Sequence, residues 1–74
     1  MKKIKDLMKE QIEYMFLNNG ERNADIDNRL STLIADYCNG DEDLDKISEV
    51  EETWKDLVLT RYNFTVNEIL NNAI

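Results

Sequence analysis

The sequence predicts an all-α protein, a small bundle of three or four helices, and three observations carry that expectation. Apolar residues recur at spacings of three and four along almost the whole 74-residue chain, the period of one helix face. Asn19-Gly20 and Asn39-Gly40 each follow such a stripe, and Asn and Gly tolerate the left-handed conformation that ends helices. Ser48 and Glu51 have the Ser-x-x-Glu spacing of a capping box, a start signal for a later helix.

In the first segment Ile4, Leu7, Met8, Ile12, Met15 and Phe16 form the stripe, with Lys3, Lys5, Lys9, Glu10 and Glu13 mostly off it. Asn18-Asn19-Gly20 stops it. In the second, Ile26, Leu30, Leu33, Ile34 and Tyr37 repeat the pattern, with Asn23 or Asp25 as N-cap and Asn39-Gly40 as the stop. The third starts at Ser48, where Glu49, Glu51 and Glu52 suit the positive end of a helix dipole. Its stripe runs through Val50, Trp54, Leu57, Val58, Arg61 and Tyr62. Val66, Ile69, Leu70 and Ile74 extend it, with a kink allowed at Thr65 because Thr65-x-x-Glu68 is a second capping spacing. The run 57–62 is also β-prone, but a lone strand across 56–65 has no partner in the sequence.

A chain of this length makes one domain, 1–74, that buries only about 60% of its unfolded surface. Leu44, Ile47, Leu59, Phe64 and Ile74 are hard to place inside one three-helix core, so self-association, most simply a homodimer, is expected to cover some of them. Trp54 reads first as a core anchor and second as a partner contact.

Charge is concentrated. The stretch 36–56 holds nine acids against Lys46 and Lys55 and supplies the whole net charge of −7. Such a block repels nucleic acid and attracts basic surfaces. The basic residues elsewhere are diluted by acids: Lys2, Lys3, Lys5 and Lys9 sit with Asp6 and Glu10, and Arg22 and Arg29 with Glu21, Asp25 and Asp27. Direct duplex binding and membrane-surface binding are therefore not expected. No apolar run is long enough to span a bilayer, and residues 1–9 lead into no apolar signal region. With Cys38 as the single cysteine there is no disulfide framework, which suits the cytoplasm.

Catalytic chemistry finds no support. The chain has no His and no Gly-rich phosphate loop, and Cys38 at a helix end reads as a small hydrophobe. No cofactor and no metal are expected. The sharpest motif is 41–52, where Asp41, Asp43, Asp45, Glu49 and Glu52 fill positions 1, 3, 5, 9 and 12 of an EF-hand loop. Lys46 stands where that loop needs Gly, and Ser48 where it takes a β-branched apolar residue, so weak calcium binding ranks as a minor alternative.

These features together predict a non-enzymatic binding module that acts by occupying another protein, one with a basic or nucleic-acid-binding surface. Asp41, Glu42, Asp43, Asp45, Glu49, Glu51, Glu52 and Asp56 would carry the attraction, by imitating the phosphates of DNA. Trp54, Leu59 and Phe64 would add apolar contact. Asn, Lys and Ile are abundant, as expected from an AT-rich gene. Small acidic helical chains of this bias resemble accessory proteins of bacteriophages, which implies an inhibitor of a host DNA-handling or defence protein in the host cytoplasm. A bacterial regulatory or antitoxin-like adaptor is the alternative.

Overall fold

The computed structural model describes residues 1–72, and every regular element among them is a helix. The helices are α1 (Lys2–Leu17), α2 (Ala24–Tyr37) and α3 (Leu44–Asn72). α1 packs against both others, while α2 and α3 touch more slightly. α3 runs parallel to α1: Ile4 and Met8 cluster with Val50, and Glu13 further along α1 pairs with Arg61, three turns on from Val50.

Each helix end has a physical cause. α1 and α2 close the same way. The Gly20 N–H donates to the Met15 carbonyl, and the Gly40 N–H to the Ala35 carbonyl, each at 2.8 Å. These are the six-to-one bonds of a Schellman closure, with Asn19 (φ 56°) and Asn39 (φ 52°) left-handed. α2 opens at Asn23, whose Oδ1 accepts from the Ile26 N–H at 3.1 Å; of the two expected caps, this is the one used.

α3 departs from the expected pattern. It begins at Leu44, one turn before the Ser48 capping box, because the Asp43 carboxylate caps it by accepting from the Lys46 N–H at 3.1 Å. Asp caps as well as Ser, and the earlier start brings Ile47 onto the core stripe beside Val50. The helix then runs unbroken through 56–65, removing both the strand and the kink. Thr65 bonds back to the Arg61 carbonyl at 3.2 Å, leaving its hydroxyl no capping role. Tyr62, expected on the core stripe, is 56% exposed: five residues on from Leu57, it is turned well away from α1. Ile74 lies outside the described residues.

The core is thin. Ile4, Met8, Leu30, Cys38 and Val50 form its cluster, with Leu7, Ile26, Leu33, Ile34, Trp54 and Leu57 packed around it. Among the described residues one polar side chain is buried too, Gln11, fully excluded from solvent. Its amide nitrogen donates to the Asn23 carbonyl at 3.1 Å and to Asp27 Oδ1 at 2.7 Å. Its oxygen accepts the Asn23 N–H at 2.8 Å. Asp27 also accepts three hydrogen bonds from the Arg22 guanidinium, whose face lies 5.0 Å from the centre of the Trp54 ring. One connected set of contacts thus joins α1, the first loop, α2 and α3.

At 1.5 Å per residue α3 is about 43 Å long against about 24 Å for α1, and the molecule's longest extent is 50 Å. Its C-terminal turns therefore project past the end of α1. The last firm link between them is Arg61, which bonds Glu13 at 2.8 Å and lies over the rings of Phe16 and Phe64.

Two measurements check this account. Gln11→Leu should cost about 2 kcal/mol, because it leaves the Asn23 amide and carbonyl without their buried partner; urea denaturation reads the loss. The Arg22 guanidinium, helped by the Gln11 amide, holds the Asp27 carboxyl below the ordinary carboxylate range. A depressed folded pKa gives stability that is complete above the unfolded value and lost as pH falls through the folded one. The melting temperature should therefore drop below about pH 4, and Asp27→Asn should flatten that drop.

Candidate functional site

The acidic residues of the middle stretch are sorted by the helix into different places. Once α3 starts at Leu44, Asp45, Glu49, Glu52 and Asp56 stand at successive spacings of four, three and four. That is one narrow stripe of a helix, about 16 Å long, with neighbouring side chains roughly 5–6 Å apart. All four are exposed. The stripe faces away from α1, whose contacts are made through Val50, Leu57 and Arg61. None of the four is in an ion pair among the described residues; Glu49 accepts a hydrogen bond from the Tyr37 hydroxyl at 2.9 Å, and that contact holds the phenol's pKa above its usual value.

The other four expected site residues lie elsewhere. Asp41 and Glu42 sit exposed in the loop just before α3. Asp41 is left-handed (φ 70°), the third such residue in a row after Asn39 and Gly40, which costs a non-glycine residue on the order of 1 kcal/mol. Asp43 is engaged as the helix cap, with the Lys46 ammonium 4.0 Å away. Glu51 projects from a different face and lines a groove between α2 and α3 with Trp54 and Lys55.

The apolar candidates are separated as well. Trp54 is half-buried against the core beneath Arg22. Phe64 is 57% exposed but stays beside Arg61 on the α1 side. Leu59, also 57% exposed, is on the far side of α3. Around Leu59 is a surface that the sequence reading merged with the core stripe: Tyr62, Ile69 and Leu70, each more than half exposed, with Val58 and Val66 half-buried among them.

The geometry also bears on the calcium alternative. Positions 44–52 are helix, so Asp45, Glu49 and Glu52 line a rod and do not wrap an ion. No group of three or more His, Cys, Asp or Glu able to hold a metal occurs among the described residues. No helix among them is long and apolar enough to cross a membrane.

Cys38 closes α2 with no solvent exposure, and burial, together with Asp41 and Asp43, pushes its thiol up. Gln11, Arg22 and Glu13 were not singled out by sequence reasoning. The available signal for Gln11 was its position: an amide three residues after Met8, on the apolar stripe itself.

Compared with protein-family models, with curated proteins and with solved structures, the chain matches none.

Buried and held in its thiol form, Cys38 should react with a thiol reagent at least about 100-fold more slowly in the native protein than in urea. Native and unfolded labelling rates at pH 8 measure this directly.

Proposed function

We propose that this chain is a protein-binding module that works by occupancy, inhibiting or modulating a partner with a basic, nucleic-acid-binding surface. Its three helices serve as a small bundle that presents charge and carries out no chemistry. One observation supports the reading above the rest: Asp45, Glu49, Glu52 and Asp56 form a single outward row on one continuous helix, with Asp41 and Glu42 exposed in the loop that precedes it. A helix fixes the spacing of such carboxylates at little entropic cost on binding, so they can enter a groove shaped for a phosphate backbone. Carboxylates in a flexible loop would lose more entropy for the same contacts.

The net charge of −7 lies almost wholly in this region, which favours fast association steered by the field. A bacteriophage-type inhibitor of a host DNA-handling or defence protein, acting in the host cytoplasm, fits this chemistry. An adaptor of the antitoxin kind is the second reading, favoured by Phe64, an apolar side chain exposed beside Arg61 on the α1 side of α3. The two differ in salt dependence, because exposed charge pairs are screened and apolar contacts are not.

Affinity capture from a bacterial lysate at about 50 mM and about 500 mM salt separates them. The expected result is a nucleic-acid-handling protein retained at low salt and released at high salt. The neutralised variant D45N/E49Q/E52Q/D56N should lose that partner while keeping its helix content. Retention of the same partner by the neutralised variant would refute the electrostatic mechanism.

A further inference from the structure

We infer that the distal face of α3 is the contact through which two copies of this chain pair, antiparallel, across a two-fold axis. Leu59, Tyr62, Val66 and Ile69 follow one another at spacings of three, four and three, the a/d repeat of a coiled-coil seam, and Leu70 borders it. Leu59, Tyr62, Ile69 and Leu70 are all more than half exposed among the described residues. The turns that bear them are also poor in intrinsic helix formers: Asn63, Thr65, Val66, Asn67, Asn71 and Asn72. A projecting helix of such residues draws its stability from packing, and α1 ends too early to provide it.

Charge selects a second copy and its direction. The seam itself is uncharged and is flanked by Asn63 and Thr65; the nearest acid, Asp56, one turn before Leu59, falls opposite Asn72 when the copies run antiparallel, so two molecules of net charge −7 can meet there without facing acids. In the antiparallel arrangement Leu59 of one copy meets Ile69 of the other, and Tyr62 meets Val66. Glu52 of one copy then lies about 36 Å along the axis from Glu52 of its mate, several Debye lengths away. Parallel pairing would set the two acidic rows side by side within about one such length. The four most exposed side chains offer on the order of 500 Å² per copy, about 1,000 Å² for the pair, which is the lower limit of a specific interface. An interface at that limit makes a weak dimer, so the test spans a wide concentration range.

Sedimentation equilibrium from about 5 to 500 µM tests the pairing on the full chain. A monomer–dimer equilibrium is expected, and its constant should change little between about 50 and 500 mM salt, unlike capture through the acidic row. Tyr62→Glu and Val66→Glu each place a charge in the seam and should weaken the dimer at least about tenfold. Circular dichroism confirms that these surface variants still fold. Direction is read by oxidation: an equal mixture of Leu59→Cys and Ile69→Cys chains should form the mixed disulfide. Leu59→Cys alone should not, since its two thiols would be about 15 Å apart. The wild type, with Cys38 buried, gives the background. A chain that stays monomeric throughout, a dimer indifferent to both glutamates, or ready Leu59→Cys self-crosslinking overturns the proposal.

Discussion

A carboxamide shut away from solvent loses its water and must recover its hydrogen bonds from the protein. Gln11 does so only because the chain after α1 turns back and offers it both the N–H and the C=O of Asn23. That requirement fixes the path of the first loop and, with it, the start of α2, since Asn23 is also the N-cap. One turn further on, Asp27 takes the remaining Gln11 proton and grips Arg22, which lies on Trp54 of α3. In a core of so few fully buried apolar residues, a directional contact set of this kind selects one packing among several that hydrophobicity alone would allow.

Much of this was legible in the residues. The stripes of α1 and α2 and their Asn-Gly endings fall where periodicity and backbone preference put them, because those signals are local. Where two local signals competed, the sequence could not arbitrate. Asp43 and Ser48 are both good caps, and the choice went to the one that brought Ile47 into contact with the core. Thr65 looked like a start signal but bonds backward within a continuing helix. The acidic run showed its composition but not its partition, since the face on which Glu51 or Glu52 projects depends on where α3 begins. Gln11 was hidden for the opposite reason: its partners lie in a loop whose path no periodicity describes.

α3 is two surfaces on one rod. Its first half faces the core on one side and shows carboxylates on the other, whereas its second half is nearly neutral and carries an apolar face left exposed among the described residues. Arg61 marks the division: held by Glu13 and lying between Phe16 and Phe64, it ties the helix to α1 at the last point where α1 can reach. A single rigid element can therefore keep an electrostatic surface and an apolar one at a fixed separation, each answering to different solution conditions.

The two helix closures have a chemical consequence for the ageing of the molecule. Asn-Gly is the dipeptide most prone to deamidation, because the glycine nitrogen can attack the asparagine side-chain carbonyl, expel ammonia and close a succinimide ring. Here the nitrogens of Gly20 and Gly40 are each tied to a carbonyl of the preceding helix, and so turned from that attack. The bonds that end the helices thus also act as chemical guards, and spontaneous conversion of Asn19 or Asn39 to aspartate or isoaspartate proceeds through the fraction of time each terminus is frayed.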